Sequence, residues 1–299
     1  MRRAIALGVA TVIVIATALL WQQLPGIGAG MLLYPVRQAM KKPAPNGCVE
    51  RDFAGAGLTL RGWACAPDGA PRGTIVYLHG VGDSRQSGSG TIGRFLPRGF
   101  RVIAYDSRAH GRSDGVFCTY GFYEKDDLHR VIDTLPAGPV VLMGTSLGAA
   151  VALQEAAGDP RVTTVVSIET FSDLRTVATE RAPFVFTRGA IDRAFALAET
   201  QASFRVDEAS PARAAARIAV PVLLIHGAAD VETPPAHSQR VKAALTSPSE
   251  LILVPSAHHN ESLNGTGIWA RIEAWVDGST RSRIAGDKEL RRNPQENRR

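Results

Sequence analysis

Gly144-Thr145-Ser146-Leu147-Gly148 is the segment from which the fold of this chain is most readily inferred. It fits the pattern G-x-S-x-G and lies between an apolar run at residues 139–143 and an alanine-rich run at residues 149–157. These flanks predict a strand followed by a helix, the context in which the pattern forms a nucleophile elbow. Small residues are needed because larger side chains would collide with neighbouring chain at so sharp a turn. The pattern indicates Ser146 as a candidate nucleophile; a glycine-rich turn with a serine N-cap is the simpler alternative.

Two more polar segments follow apolar runs downstream of the elbow. The run at residues 220–225 is followed by a short loop that contains Asp230, and the run at residues 250–254 leads to the adjacent His258 and His259. The chain order serine, acid, histidine is the order found with G-x-S-x-G elbows. In such a triad the serine attacks a carbonyl, the histidine takes its proton, and the acid orients the imidazole and stabilises its charge. The positions of these residues at three successive strand ends, in this order, therefore predict a Ser–Asp–His triad.

Two upstream segments complete a resemblance to a known superfamily. Residues 78–82 read Leu-His-Gly-Val-Gly, and residues 105–113 read Tyr-Asp-Ser-Arg-Ala-His-Gly-Arg-Ser. With the segments above, they resemble the α/β-hydrolase superfamily over about residues 52–276. Within it the chain is similar to the serine aminopeptidase and monoacylglycerol-lipase-like branch, which includes membrane-anchored serine hydrolases with one N-terminal span. The resemblance implies an α/β-hydrolase fold with a mostly parallel central sheet flanked by helices and a short helical cap. It implies no metal and no organic cofactor.

The resemblance also implies where a developing oxyanion would be bound. In that family the loop that reads His-Gly-x supplies one backbone N–H, which corresponds to Val81, and the residue after the nucleophile, Leu147, supplies the other. Loss of one such donor typically lowers turnover by about 10²–10³-fold, so the expected chemistry requires this loop to be intact. His79 and His226 lie at strand ends and are interpreted as structural residues that hydrogen-bond the turns.

The histidine and the acid of the triad each have an alternative. The family pattern at the histidine resembles Pro-Gly-Ala-Gly-His-Asn-Asp, which aligns the catalytic histidine with His259 rather than His258. The chain departs from this pattern at Ser256 and at His258, where glycines are usual. For the acid, Glu169 occupies a position that some lipase-like relatives use, but Asp230 fits the family better.

The N-terminus predicts a membrane segment. Residues 4–20 carry no charge, follow Arg2 and Arg3, and precede further apolar sequence at residues 24–34. This pattern is typical of a retained signal anchor or single span, with a cleaved signal peptide as the alternative. Retention is favoured because no A-x-A cleavage site follows. The expected location is therefore a membrane anchored through one N-terminal span with the catalytic domain extracytoplasmic, or a secreted or periplasmic protein after cleavage; basic residues on both sides leave the orientation open.

Cysteine placement bears on the compartment. Cys48 and Cys65 flank two strand-like runs, and a two-residue loop at Ala56 and Gly57 would set the two cysteines opposite each other, close enough for a disulfide. Two reduced thiols are the alternative. A disulfide would indicate an oxidising compartment. Cys118 is left unpaired, and nothing near it has the spacing of a metal site.

Length and charge favour one large domain without a nucleic-acid partner. The chain has 299 residues and a net charge of +6, but residues 279–299 alone contain seven basic and three acidic residues, which is typical of a solvated terminus. The expected organisation is a signal anchor and linker at residues 1–42, a hydrolase domain at residues 43–278 with a cap at about 173–217, and a basic, disordered tail at residues 279–299.

The predicted function is that of a serine hydrolase that cleaves carboxylic esters, or related acyl compounds, through an acyl-enzyme on Ser146. The expected partners are a small-molecule or lipid acyl substrate and a membrane. A triad can attack thioester and peptide carbonyls as well, and it can transfer the acyl group to an acceptor in place of water. A catalytically silent binding protein of the same fold is the competing interpretation.

Overall fold

The computed structural model describes the backbone of residues 21–292 and the side chains of residues 21–286. The uncharged run at residues 4–20, expected to be a signal anchor, lies outside the described residues. Within the described part, no helix combines the length and the apolar character needed to cross a membrane.

A mixed sheet of eight strands forms the centre of the molecule, in the order β1-β2-β4-β3-β5-β6-β7-β8. The strands β1 and β4 both pair antiparallel with β2, and the other neighbours are parallel. The expected mostly parallel sheet is confirmed. The bounds are β1 Cys48–Ala54, β2 Thr59–Cys65, β3 Thr74–Leu78, β4 Arg101–Tyr105, β5 Val140–Thr145, β6 Val162–Ile168, β7 Val222–Gly227 and β8 Ser249–Val254.

Helices cover both faces of this sheet. The bounds are α1 at residues 21–33, α2 Ser89–Phe95, α3 Glu124–Asp133, α4 Leu147–Ala156, α5 Leu174–Glu180, α6 Arg188–Ala202, α7 Pro211–Ala215, α8 Ala236–Ala244 and α9 Ile268–Arg292. One core contains apolar residues of α3, α4 and α8, and the other contains apolar residues of α2 and α9. The central strands β3, β5 and β6 are almost wholly buried, and most of their residues are apolar because helices cover both faces of the sheet.

The hairpin of β1 and β2 has the register expected from a two-residue loop. The N–H of Gly55 donates to the carbonyl of Leu58 over 2.8 Å, and the backbone of Cys48 pairs with that of Cys65. The structure joins these two cysteines in a disulfide and leaves Cys118 as a buried free thiol.

The N-terminal helix α1 differs from the linker expected there. Ala29 and Leu33 are fully buried, and they pack in one cluster with Leu174 and Val177 of α5 and Phe195 of α6. Helix α1 is therefore a packed element of the domain, because its apolar residues meet an apolar surface of the α5–α6 region.

The C-terminal helix α9 also differs from expectation. It continues through residues 279–292, where the high charge led to the expectation of a disordered tail. The segment contains good helix formers and no proline before Pro294, and Thr280 is fully buried against the body. Charge content alone did not distinguish a solvated helix from an unstructured terminus.

Candidate active site

The strand-to-helix turn after β5 carries Ser146 in a strained backbone conformation. Ser146 has φ 52° and ψ −112°, and α4 begins at the next residue. A Cβ atom at Gly148 would lie 2.1 Å from the carbonyl oxygen of Leu78, and one at Gly144 would lie 2.2 Å from the carbonyl carbon of Gly148. Glycine is therefore required at both flanking positions, because the turn passes directly against β3 and against itself.

Three side chains predicted from the sequence are brought together at this turn. The Nε2 atom of His259 lies 3.2 Å from Oγ of Ser146, and its Nδ1 atom lies 2.6 Å from Oδ2 of Asp230. With the imidazole proton on Nδ1, the imidazole donates to the carboxylate and accepts from the hydroxyl. The serine and aspartate are largely buried, at 6% and 3% exposure. The arrangement can withdraw the hydroxyl proton from Ser146 during attack on a carbonyl.

Asp230 is held as a carboxylate. Burial alone would raise its pKa, but hydrogen bonds from His226, His259 and the N–H of Thr233 outweigh burial and hold the pKa well below its usual range. Its Oδ1 atom accepts the N–H groups of Glu232 and Thr233 over 3.0 and 2.8 Å. The His226 ring lies in hydrogen-bond contact with the hydroxyl of Ser238 and the carbonyl of Thr233, at 2.6 and 2.7 Å. It therefore supports the loop that carries the acid.

Glu169 lies beside the same histidine but makes different contacts. Its Oε2 atom is 3.8 Å from Nδ1 of His259, beyond hydrogen-bond distance. It accepts the N–H of Asn260 over 2.5 Å and the N–H of Ser262 over 3.1 Å. The sequence indicated Glu169 only as an alternative acid, and this contact with the histidine-bearing loop was missed. No local signal could reveal it, because the partners are more than ninety residues away.

The adjacent His258 points elsewhere. Its side chain is exposed, whereas its backbone N–H donates to Glu261 over 2.9 Å. Ser256 and Asn260, on either side of the pair, both have positive φ angles of 60° and 66°. The positive φ at Ser256 explains why a glycine is favoured there, since glycine adopts this conformation without a steric penalty.

The loop after β3 lies against the serine. A Cβ atom at Gly80 would be 3.6 Å from Cβ of Ser146, and Val81 is the next residue of this loop. The N–H of Leu147 lies in the first turn of α4, where backbone donors lack partners within the helix. His79 fixes the loop: one ring nitrogen lies 2.7 Å from the Gly80 carbonyl and the other accepts the N–H of Ser107 over 2.9 Å. This agrees with its interpretation as a structural residue.

Two groups of side chains among the described residues have the spacing of metal ligands. One consists of Asp230, His259 and Glu169, which are already joined to each other or to backbone N–H groups. The other consists of His129, Glu155 and Asp159, where the guanidinium of Arg161 donates to Asp159 over 2.6 Å. In both groups the carboxylate oxygens already accept hydrogen bonds from protein donors.

Comparisons with known proteins agree with this architecture. Residues 73–205 match the family model described as alpha/beta hydrolase fold. The chain is 29% identical over 216 residues to the uncharacterized protein YqkD of Bacillus subtilis, covering 68% of this chain and 70% of that protein. It is 25% identical over 254 residues to the uncharacterized protein YfhR of Escherichia coli (strain K12), covering 80% and 83%. The solved structure of the Pyrococcus furiosus esterase Pf2001 superposes with a TM-score of 0.64 at 20% identity, covering 84% of this chain and 97% of that one.

The sheet order, the elbow and the family match together identify an α/β-hydrolase fold. The fold predicted from the sequence is therefore confirmed. Assignment to a monoacylglycerol-lipase-like branch and to a membrane-anchored group stays a prediction.

Proposed function

We propose that the protein is a serine hydrolase that cleaves carboxylic esters through an acyl-enzyme on Ser146. One observation carries the proposal: a continuous hydrogen-bonded chain runs from Oγ of Ser146 through the imidazole of His259 to the carboxylate of Asp230. This chain lies at the start of α4 and beside the loop after β3, where backbone donors are directed toward a reacting carbonyl in this fold.

The first half-reaction forms the acyl-enzyme. Oγ of Ser146 attacks the carbonyl carbon as its proton moves to Nε2 of His259, and Asp230 stabilises the imidazolium. The carbonyl oxygen becomes an oxyanion that the N–H groups of Val81 and Leu147 bind. Collapse of this intermediate breaks the bond to the leaving alkoxide, which takes the proton from Nε2 and departs as the alcohol.

The second half-reaction repeats these steps with water. His259 takes a proton from water as its oxygen attacks the acyl carbon, and the same two N–H groups bind the new oxyanion. The bond to Oγ then breaks, Ser146 regains its proton from Nε2, and the carboxylic acid leaves. The net reaction is ester and water to acid and alcohol.

The test of this proposal is labelling of the full-length protein with a fluorophosphonate probe, which reacts with activated serines. We expect labelling of the native protein and of Ser282→Ala, an exposed serine on α9, and none of Ser146→Ala. Unchanged far-ultraviolet circular dichroism would establish that Ser146→Ala is folded. A folded native protein that takes no label would contradict the proposal and favour a silent binding protein.

A panel of ester, thioester and peptide substrates distinguishes an esterase from a thioesterase and a peptidase. We expect esters to be cleaved with a higher kcat/KM than peptides, because alkoxide leaving groups need less assistance than amines. A higher kcat/KM on thioesters than on matched esters would favour a thioesterase. Addition of an alcohol acceptor separates hydrolysis from acyl transfer: a hydrolase continues to release free acid, whereas a transferase forms a new ester at its expense.

We also propose that the catalytic domain resides in an oxidising compartment, attached through its N-terminal segment to a membrane. The disulfide between Cys48 and Cys65 and the uncharged run at residues 4–20 support this proposal. In thiol-blocked cell extracts, we expect reduction to change the mobility of the native chain but not of Cys48→Ser. Sodium carbonate extraction should leave the protein in the membrane fraction; release into the supernatant would contradict the anchor.

A further inference from the structure

A large apolar cavity lies between α1 and the helices α5 and α6. Its volume is about 540 Å³, within the range of about 300–1,000 Å³ that is usual for small-molecule sites. The walls consist largely of aliphatic and aromatic side chains, among them Met31, Leu32, Val36, Val81, Val177 and Phe195. Among the described lining residues Arg181 alone is charged, and its guanidinium donates to the carbonyl of Glu232 over 2.7 Å and also to Thr233, at the edge of the cavity.

The cavity reaches the loop after β3, which lies beside Ser146. Val81 lines it and also supplies the N–H that we assign to the oxyanion. Its neighbour Gly80 lies against Ser146, with only 3.6 Å between the two Cβ positions. A carbonyl bound at this N–H therefore lies at the edge of the cavity, and an apolar substituent of that carbonyl can enter it.

The wall contributed by the N-terminal segment is fixed in place. The carbonyl of Leu33 accepts the N–H of Cys118 over 2.9 Å, and the ring of Tyr34 packs edge-on against Phe117 at 5.5 Å. The guanidinium of Arg37 donates to the carbonyl of Ser113 over 2.7 Å. These contacts tie α1 and the residues after it to the body and hold this wall of the cavity in position.

We propose that this cavity binds the acyl chain of the ester, and that α1 is one of its walls and a determinant of chain-length preference. The inference rests on the proposed function, which it deepens by naming the acyl part of the substrate. A hydrocarbon chain fits because an apolar wall offers no partner for polar groups, whose burial is costly. Each methylene removed from water contributes about 0.8 kcal/mol, or about fourfold in kcat/KM, until the cavity is filled.

The first test is the chain-length profile of the full-length protein on p-nitrophenyl esters from acetate to decanoate. We compare Met31→Asp with Ile27→Asp. Both residues are exposed apolar positions on α1, at 61% and 46%, but only Met31 lines the cavity. The native protein should prefer octanoate over acetate; this preference should fall about tenfold or more in Met31→Asp, because a carboxylate then faces the chain, and stay native in Ile27→Asp. A flat native profile, or equal losses in the two variants, would overturn the proposal.

A second variant covers the case in which Met31→Asp is poorly folded. Ala178→Phe enlarges a half-buried side chain of α5 that lines the same cavity from the opposite wall. Filling the cavity should lower the ratio of octanoate to acetate hydrolysis as well. A native ratio in folded Ala178→Phe would count against a chain in this cavity.

A binding measurement separates this inference from the proposed function. Dansyl-labelled undecanoic acid is titrated into Ser146→Ala, alone or combined with Met31→Asp or Ile27→Asp. We expect saturable fluorescence enhancement that weakens about tenfold with Met31→Asp only. Binding without fluorophosphonate labelling of the native protein would mean that the hydrolase proposal fails and the cavity stands. Labelling of the native protein without binding of the dansyl-labelled acid would mean that the hydrolase proposal stands and the cavity inference fails.

Discussion

The Nδ1 atom of His259 lies 2.6 Å from Oδ2 of Asp230, slightly shorter than the range of about 2.7–2.9 Å that is usual for a charge-assisted N–H···O bond. A second carboxylate, that of Glu169, lies 3.8 Å from the same nitrogen and accepts backbone N–H groups instead. The two acids around one imidazole therefore have different tasks. One orients the ring, and the other holds the loop that carries it.

Substitution of each acid should separate these tasks. Asp230→Asn should lower kcat by about 10⁴-fold, because an amide at this position favours the wrong imidazole tautomer. Glu169→Gln should lower kcat less, since it does not bond the ring, and should also lower thermal stability, because Asn260 and Ser262 lose a charged acceptor. Ester hydrolysis and thermal unfolding measure both effects. A larger loss of kcat in Glu169→Gln would make Glu169 the acid of the triad.

The two adjacent histidines should differ sharply. His259→Ala removes the group that contacts Ser146 at 3.2 Å, so turnover should fall by several orders of magnitude, on the scale of about 10⁴-fold or more. His258→Ala removes an exposed side chain and is the matched control, with turnover close to native. The measurement is kcat on a short-chain ester. Should the order of the two variants be reversed, the base would be His258.

Gly148, the second glycine of the G-x-S-x-G segment, should be essential for steric reasons. Gly148→Ala would place a Cβ atom 2.1 Å from the carbonyl oxygen of Leu78, so α4 or β3 must move. We expect a loss of about 1–3 kcal/mol in the free energy of unfolding, together with loss of activity. Gly278→Ala on α9 is the control, because its Cβ would meet no atom within 4 Å and alanine favours helices. Urea unfolding of both variants tests the contrast; a native-like Gly148→Ala would show that the turn tolerates a side chain.

Acid should destabilise the fold through a buried histidine. Burial, and then the neighbouring His79, lower the pKa of His110 from its ordinary 6.5 to about 3. Between these values the unfolded chain binds a proton that the folded chain does not, so the free energy of unfolding decreases as the pH falls from 6.5 toward 3. The slope from this group is at most about 1.4 kcal/mol per pH unit.

The variant His110→Gln should flatten this dependence. Urea unfolding of the native protein and of the variant at a series of pH values between neutral and mildly acidic measures it. The native curve should fall more steeply on the acid side, whereas the two should run parallel above the ordinary histidine pKa. Parallel curves over the whole range would mean that His110 is not the responsible group.

Local sequence patterns predicted the features of the fold and the candidate site that depend on neighbouring residues. They did not predict contacts between residues far apart in the chain. The elbow and the register of the β1–β2 hairpin depend on neighbouring residues, so their sequences were sufficient. The contact of Glu169 with the loop at Asn260 depends on residues far apart in the chain, and no local pattern encodes it. The same holds for the fully buried Arg85, which pairs with Asp106 at 2.7 Å. A lone basic residue in a polar loop is interpreted as a solvated side chain until its acidic partner is located.

The described residues near both ends of the chain, in α1 and α9, differ from the expectation for a related reason. Apolar sequence after residue 20 was interpreted as part of an anchor and linker, because hydrophobicity does not distinguish a lipid environment from a protein surface. The structure supplies that surface, formed by Leu174, Val177 and Phe195. For α9, the high charge of residues 279–299 suggested a solvated, unstructured tail, but helix propensity and the burial of Thr280 favour continuation of the helix.

The disulfide has a consequence for how copies of this protein can interact. Among residues 21–292, the strand β1 lies at one edge of the sheet and has β2 as its single neighbour. Edge strands are the elements that most readily pair with another molecule or exchange between two copies. The disulfide between Cys48 on β1 and Cys65 on β2 joins the two strands covalently. Breaking the backbone hydrogen bonds between them is therefore insufficient to release β1 to a neighbouring molecule. Exchange of β1 alone between two copies would therefore require reduction of this cross-link.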